Sequence, residues 1–128
     1  MCRVAQTMSC LSLLVLVSRG LVDPDAPVCR YWPEFEQAGK QNVLVRHVLS
    51  HTAGLPGWDQ RLETADLYDW DKLASLLAEQ PTWWEPGWKS GYHAVSQGNL
   101  VGEIVRRVDG RSAGTFFAEE VAGPVRCA

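Results

Sequence analysis

The chain has 128 residues, of which 46% are hydrophobic and 21% are charged, a composition typical of a folded domain rather than a disordered chain. Twelve basic and fifteen acidic residues give a formal net charge of −3, and without a basic stripe this balance does not support nucleic-acid binding. A chain of this length can bury a core, but only a marginal one.

The first predicted element is a helix from about Met8 to Arg19, which carries the apolar run LSLLVLV (residues 11–17). Gly20 is its expected C-terminal stop. The apolar run is too short to span a bilayer, and a small-x-small cleavage site does not follow it. We therefore interpret it as a buried core helix and expect no membrane segment and a cytoplasmic location.

Two further helices are predicted in the middle of the chain. After the loop LVDPDAPV (residues 21–28), Val43 to His51 places apolar residues on one helical face. The stretch TAGLPGW then breaks the helix. Asp66 to Gln80 is the next predicted helix, and Pro81 ends it. Its apolar stripe is Leu67, Trp70, Leu73, Leu76 and Leu77.

The clearest helix comes fourth and ends at Gly110, with an apolar stripe at Leu100, Val101, Ile104, Val105 and Val108. Its other side carries Asn99, Glu103, Arg106 and Arg107. Gly98 and Gly102 lie four residues apart, so the helix can approach a neighbour closely. Ser112 is the predicted N-cap of a last helix, AGTFFAEEVA. The chain thus reads as five helices, and no run alternates convincingly as a strand.

Metal and cofactor sites are not predicted. His47 and His51 lie four apart on a helix, a spacing that can hold zinc, but the zinc-protease pattern needs Glu where this chain has Val48. We expect His51 to brace the HTAGLPG turn instead. A G-x-G-x-x-G motif, a P-loop and a G-x-S-x-G elbow are absent from the sequence, and we expect no cofactor.

Four cysteines are scattered through the chain: Cys2, Cys10, Cys29 and Cys127. Their even count allows two disulfides, but no CxxC pair occurs, and reduced thiols fit a cytosolic chain better.

The loop PTWWEPGWKSGYHA is irregular and unusually rich in aromatic residues, and loops that hold such side chains are often functional. It contains Tyr92, which the sequence allows to be either a buried aromatic or a general base. A phenol has an ordinary pKa of about 10 and acts as a base near neutrality only when nearby cations favour the phenolate. Lys89 is the nearest cation in the sequence.

Three stretches together resemble the β-lactamase-related serine hydrolases, the group that contains class C β-lactamases, D-alanyl-D-alanine carboxypeptidases and β-lactamase-like esterases. They are LVDPDAPVCRYWPEF, VRHVLSHTAGLPGW and WWEPGWKSGYHAVSQGNLVGEIVRRVDGRSAGTFFAEEVAGP. The pair of LSHTAGLPG and, about forty residues later, PG…YH is the most specific part. The Tyr-His form is most similar to the esterase-like members.

The resemblance implies a mechanism. Members of this group attack an ester or amide with the serine of an S-x-x-K motif at the start of a helix, and a tyrosine from a Y-x-N loop assists as base. Tyr92 occupies that tyrosine position, and His93 and Trp88 are expected to line the substrate pocket. Ala94 stands where the loop motif has Asn, which favours an ester over a penicillin-type amide.

The S-x-x-K motif is where the sequence departs from the family. Arg3 stands at the Ser position and Gln6 at the Lys position, so neither the hydroxyl nor the ammonium is supplied. Ser9 and Ser12 lie beyond the motif, and neither has a Lys at the required offset.

We therefore expect residues 1–128 to form a partial domain: the helical portion of an α/β β-lactamase/transpeptidase-like fold with the sheet largely missing. The expected function is that of a segment of an ester- or amide-cleaving serine hydrolase that is inactive alone. A fragment or misplaced gene start, a degenerate pseudoenzyme and a chain completed by a second polypeptide all remain open. The alternative from another class is a small non-enzymatic binding or secreted protein that uses Trp83, Trp84 and Trp88 as an interaction patch.

Overall fold

A computed structural model describes residues 3–125. In that range the chain forms five α-helices: α1, Arg3–Ser18; α2, Val45–Leu49; α3, Trp70–Glu79; α4, Ser96–Asp109; and α5, Ala113–Phe117. The last continues into a π-helical turn, Ala118–Ala122. Short 3₁₀ segments lie at Val28–Arg30, at Thr64–Tyr68 and within Pro33–Asn42, where three non-helical residues, 37–39, interrupt the 3₁₀ conformation. The five predicted helices are confirmed in the predicted order.

The described residues contain no β-strand, only one isolated antiparallel bridge between Pro27 and Leu44. Beside it, the Val28 N–H donates to the Val43 carbonyl at 2.8 Å, and the Val45 N–H donates to the Ala26 carbonyl at 3.0 Å. This short pairing ties the loop after α1 to the start of α2. The prediction of a mainly helical chain without a developed sheet is confirmed for these residues.

Helix α4 lies at the centre of the core and packs against α1, α2, α3 and α5. The first four residues of its predicted stripe, Leu100 to Val105, are fully buried, and Val108 packs at the edge. Burying a side chain of this kind stabilises the fold by about 1.5–3 kcal/mol. The helix ends at Gly110, whose φ of 92° lies in the left-handed region, as the C-terminal stop requires.

The polar side of α4 is more buried than the solvent-exposed face of a typical amphipathic helix. Glu103 is completely buried because Trp70, at the start of α3, lies over it and donates its indole Nε1–H to Glu103 Oε2 at 2.7 Å. Gly102 makes this contact possible, since a Cβ at that position would lie 2.6 Å from the Trp70 ring. The predicted close approach of α4 to a neighbour is thus confirmed at Gly102.

Two arginines complete the surroundings of the Glu103 carboxylate. Arg106 contacts Oε1 at 2.6 Å and Arg107 contacts the same oxygen at 2.8 Å. Burial alone would raise the pKa of Glu103, but the hydrogen bonds from Arg106, Arg107 and Trp70 outweigh it and lower the pKa from 4.5 to about 2. The buried charge is therefore paired, as burial demands.

Three predicted helices have different limits in the structure. Helix α2 spans Val45–Leu49 rather than Val43 to His51. Helix α1 begins at Arg3 rather than at Met8, and only one of its faces is buried. Leu13 and Leu16 are inaccessible, whereas Val4, Met8, Leu11 and Leu14 are exposed. The predicted helix Asp66–Gln80 is broken at Asp69, because its backbone is extended (φ −99°, ψ 90°) and its side chain caps α3 by accepting the Lys72 N–H at 3.1 Å.

Two further features concern membranes and thiols. Within residues 3–125, no helix combines the length and the apolar character needed to cross a membrane.

Cys10 and Cys29 are free thiols, and Cys2 and Cys127 lie outside the described residues.

The paired, buried Glu103 carboxylate predicts an acid-sensitive contribution to stability. Glu103→Gln should lower the free energy of unfolding by about 2 kcal/mol at pH 7, because two arginines lose their common partner. The ionised Glu103 carboxylate contributes fully to the free energy of unfolding above its unfolded pKa of 4.5, and this contribution is lost as the pH falls toward its folded pKa of about 2. The difference in stability between wild type and variant should therefore shrink between these two pH values. Urea denaturation at several pH values measures it.

Glu119→Gln is the matched control, because the Glu119 side chain is 58% exposed and its ion pair with Arg111 contributes little. A Glu103→Gln loss no larger than that of the control, or a loss that stays constant down to pH 2, would contradict the assignment.

Candidate active site

Two loops that are far apart in the sequence are joined in the structure. The first, residues 51–55, follows α2, and the second, residues 83–93, precedes α4. Three backbone N–H groups of the second loop donate to carbonyls of the first: Trp83 to Gly54 at 2.7 Å, Gly87 to Thr52 at 2.9 Å and Gly91 to His51 at 3.0 Å. The HTAGLPG and PG…YH motifs are therefore two sides of one structural unit, which we call the loop pair.

His93 joins the loop pair from within. Its Nε2 accepts the Leu55 N–H at 3.2 Å, and its Nδ1–H donates to the Gly91 carbonyl. The ring is fully buried, and burial lowers the pKa of His93 against the opposing hydrogen bond to Gly91. A neutral ring with its proton on Nδ1 satisfies both contacts. His93 thus braces the residues beside Tyr92.

Two glycines make room for Trp84 of the second loop: Gly54 where the first loop approaches it, and Gly91 within the second loop itself. Gly54 has a φ of 80°, and a Cβ there would lie 2.7 Å from the Trp84 carbonyl oxygen. At Gly91 a Cβ would lie 2.5 Å from the Trp84 ring. No larger residue fits either position without moving the backbone or the indole.

Tyr92 projects from the loop pair toward α1. Its hydroxyl donates to Gln6 Oε1 at 2.8 Å, and Gln6 Nε2 donates to the His93 carbonyl at 2.9 Å. The Tyr92 side chain is half exposed, while Gln6 is buried. The structure therefore brings together the predicted tyrosine and the residue at the family's lysine position, although 86 positions separate them in the sequence.

An open cleft of about 520 Å³ lies at this contact. It is lined by Gln6, Thr7, Cys10, Leu49, His51, Tyr92 and Gln97. Of these, Tyr92 was predicted to be a site residue and Gln6 was identified at the family's lysine position, whereas the other five were not predicted to line the site: Thr7, Cys10, Leu49, His51 and Gln97. Cys10 lies four residues after Gln6, so helical spacing could have placed it on the same face. Leu49 and Gln97 reach the cleft only through the packing of α2 on α4, which the sequence does not display.

Gln97 holds the base of the cleft to α2. Its Nε2 donates to the Val48 carbonyl at 3.1 Å and to the Leu49 carbonyl at 3.3 Å, and 1% of the residue is exposed. These bonds satisfy carbonyls at the end of a short helix, where no intrahelical donor is available.

The predicted pocket residues occupy different places. Trp88 is 73% exposed and His93 is buried, and neither lines the cleft with Tyr92. The Lys89 ammonium lies 5.4 Å from the centroids of both the Trp84 and Trp88 rings. The assignment of Trp88 and His93 to a substrate pocket stays a prediction.

His47 and His51 serve separate parts of the structure. His47 Nδ1 accepts the Leu44 N–H at 3.1 Å at the start of α2. His51 Nδ1 accepts the His93 N–H at 3.0 Å inside the loop pair. The predicted bracing role of His51 is therefore confirmed.

Known proteins share the sequence and the fold of most of this chain. The Beta-lactamase family model matches residues 4–126. The chain is 39% identical to the Esterase/beta-lactamase LipL of Mycobacterium tuberculosis, covering 86% of this chain and 25% of that protein. It is 32% identical to the Esterase EstB of Burkholderia gladioli, covering 95% of this chain and 35% of that protein. The solved structure of a family VIII carboxylesterase superposes with a TM-score of 0.91 at 50% identity, covering 94% of this chain and 33% of that one.

The chain therefore belongs to the Beta-lactamase family, and it has the fold of the helical portion of such proteins. It spans between a quarter and about a third of the length of the relatives it matches. Its esterase relatives place it in a family of hydrolases.

The close approach at Gly54 predicts a large effect of a single methyl group. Gly54→Ala should destabilise the fold by about 2 kcal/mol more than Gly39→Ala, measured by urea denaturation. Both glycines have positive φ, 80° and 76°, but a Cβ at Gly39 meets nothing within 4 Å. Because both alanines would carry a similar backbone strain, the difference between the two losses of stability measures the clash with Trp84. Equal losses in the two variants would show that the loops do not approach as described.

Proposed function

We propose that this chain is the helical portion of an esterase-like serine hydrolase, that Tyr92 is its proton-transferring group, and that the chain does not catalyse ester hydrolysis alone. The substrate class is a small ester, with an amide as the less favoured choice because Ala94 replaces the asparagine of the loop motif. Within this proposal His93 holds the loop that carries Tyr92, and Trp88 is the predicted aromatic wall of the pocket.

The observation that carries the proposal is the contact between Tyr92 and Gln6. In the family pattern a lysine stands at the Gln6 position and a serine one helical turn before it, so the hydroxyl of a matching tyrosine would face an ammonium. The amide of Gln6 reproduces the hydrogen bond but carries no charge and cannot accept a proton from a serine. Arg3 likewise provides no hydroxyl. No serine in the whole sequence stands three residues before a lysine.

The names of the relatives support the choice of an ester. Two of the matched proteins are named esterases, and the 50% identical structure is that of a carboxylesterase. About two thirds or more of each relative lies outside the match. The proposal therefore concerns a contribution to a site and not a complete enzyme.

The first test is hydrolysis of a p-nitrophenyl ester by the chain as it stands. We expect a rate equal to that of Tyr92→Phe, because the nucleophile is missing. Turnover well above buffer that disappears in Tyr92→Phe would show that another residue supplies the nucleophile.

A chimera tests the role of Tyr92 itself. The stretch of Burkholderia gladioli EstB that matches this chain is replaced by the chain, either unchanged or with Arg3→Ser and Gln6→Lys. We expect the unchanged chimera to be inactive and the double variant to hydrolyse esters. In the active form, Tyr92→Phe should lower kcat by about 10²–10⁴-fold, the usual size of a lost acid–base group.

Tyr68→Phe is the matched control, because the Tyr68 side chain is 87% exposed and lies on the 3₁₀ segment before α3. An active chimera whose kcat is unchanged by Tyr92→Phe would remove Tyr92 from the mechanism.

A further inference from the structure

His51 has a backbone conformation that is uncommon outside glycine. Its φ is 60°, in the left-handed region that only about a few per cent of non-glycine residues adopt, histidine being one of the types enriched there. Conformations of this kind persist only where the surrounding contacts fix them, and they are concentrated at functional sites. The contacts that fix His51 should therefore reveal what the conformation achieves.

Those contacts lie on both sides of Tyr92. The carbonyl of His51 accepts the Gly91 N–H at 3.0 Å, and its ring Nδ1 accepts the His93 N–H at 3.0 Å. One residue thus holds the chain immediately before and immediately after the tyrosine. The His51 and Tyr92 ring centroids are 5.1 Å apart, so the imidazole also packs beside the phenol.

With this left-handed φ, both the carbonyl and the side chain of His51 bond to the second loop, at the point where α2 has ended and the first loop begins. Because Nδ1 accepts a hydrogen bond, the proton of the neutral ring lies on Nε2. The ring therefore acts in one specific tautomer.

We propose that His51 is the positioning residue for Tyr92: its carbonyl and its unprotonated Nδ1 fix the N–H groups of Gly91 and His93, the residues on either side of the tyrosine, and so direct the phenol at the Gln6 position of α1. The inference rests on the proposed function for the role of Tyr92 in proton transfer. The two hydrogen bonds by which His51 holds the loop around Tyr92 do not depend on that role. His51 lines the same cleft as Tyr92 but acts through the backbone of the second loop.

The test uses the full chain labelled with ¹⁵N and has a first arm without any mutation. Long-range ¹H–¹⁵N correlation should show the Nε2–H tautomer for His51, and a through-hydrogen-bond coupling should join its Nδ1 to the His93 amide nitrogen. An Nδ1–H tautomer, or no coupling, would overturn the proposal whether or not any variant folds.

The second arm removes the acceptor without adding strain. His51→Gly keeps the left-handed φ but has no side-chain acceptor, whereas His51→Asn tolerates this φ and places an oxygen on Cγ where the ring has Nδ1. In His51→Gly we expect at least about 10-fold faster hydrogen exchange of the His93 amide and loss of the nuclear Overhauser contact between the Tyr92 ring and the Gln6 amide. His51→Asn should restore both.

His47→Asn and His47→Gly form the matched control pair, since His47 also accepts a backbone N–H through Nδ1 but does so at the start of α2. They should leave the contact between Tyr92 and Gln6 intact. Retention of that contact in His51→Gly, or failure of His51→Asn to restore it, would contradict the positioning role.

The outcome is separable from that of the proposed function. In the active chimera, His51→Gly should lower kcat and His51→Asn should recover it. If Tyr92→Phe has no effect there, the proposed function fails while the structural result for His51 still stands.

Discussion

The hydrogen-bonded joining of the two loops is the interaction on which the site depends. Residues 51–55 and 83–93 are separated by residues 56–82, which contain α3, so bringing the two loops together has an entropic cost that their contacts must offset. Backbone groups of both loops satisfy one another, and the buried ring of His93 contributes two further bonds. Helix α4 starts three residues after His93, which connects the loop pair directly to the core.

Helix α1 supplies the other half of the arrangement, and its two faces have different surroundings. Its inner face carries Gln6 to the Tyr92 hydroxyl and buries Leu13 and Leu16. Its outer face exposes a row of apolar side chains: Val4, Met8, Leu11 and Leu14. The relatives are about three times as long as the region they share with this chain. Packing of the outer face on a sheet, as in a layered α/β domain, stays a prediction.

The sequence predicted the elements of the fold because their signals are local. Gly20, Pro81 and Gly110 stop helices through their own backbone properties, and the stripe of α4 repeats with the helical period. Burial of Glu103 was not predicted, because it depends on Trp70, which lies 33 positions away. The break at Asp69 was missed because periodicity continues across an extended residue when the same face stays apolar.

The site was predictable only as far as a resemblance could identify single residues. Tyr92 and the substituted positions Arg3 and Gln6 follow from motifs. Gln97 lines the cleft because of the way the helices pack together, and a local sequence pattern does not reveal that packing. His51 lies between these cases. Its motif was visible and its bracing role was predicted, but its partner atoms on either side of Tyr92 were not.

The central claim is that the Tyr92 hydroxyl is bonded to the residue at the family's lysine position on α1. A double-mutant cycle with Tyr92→Phe and Gln6→Met, measured by urea denaturation of the chain, tests it directly. We expect the two losses to be coupled by about 0.5–1.5 kcal/mol, the net contribution of one hydrogen bond. Losses that add within about 0.3 kcal/mol would show that the two side chains are independent and would contradict the account.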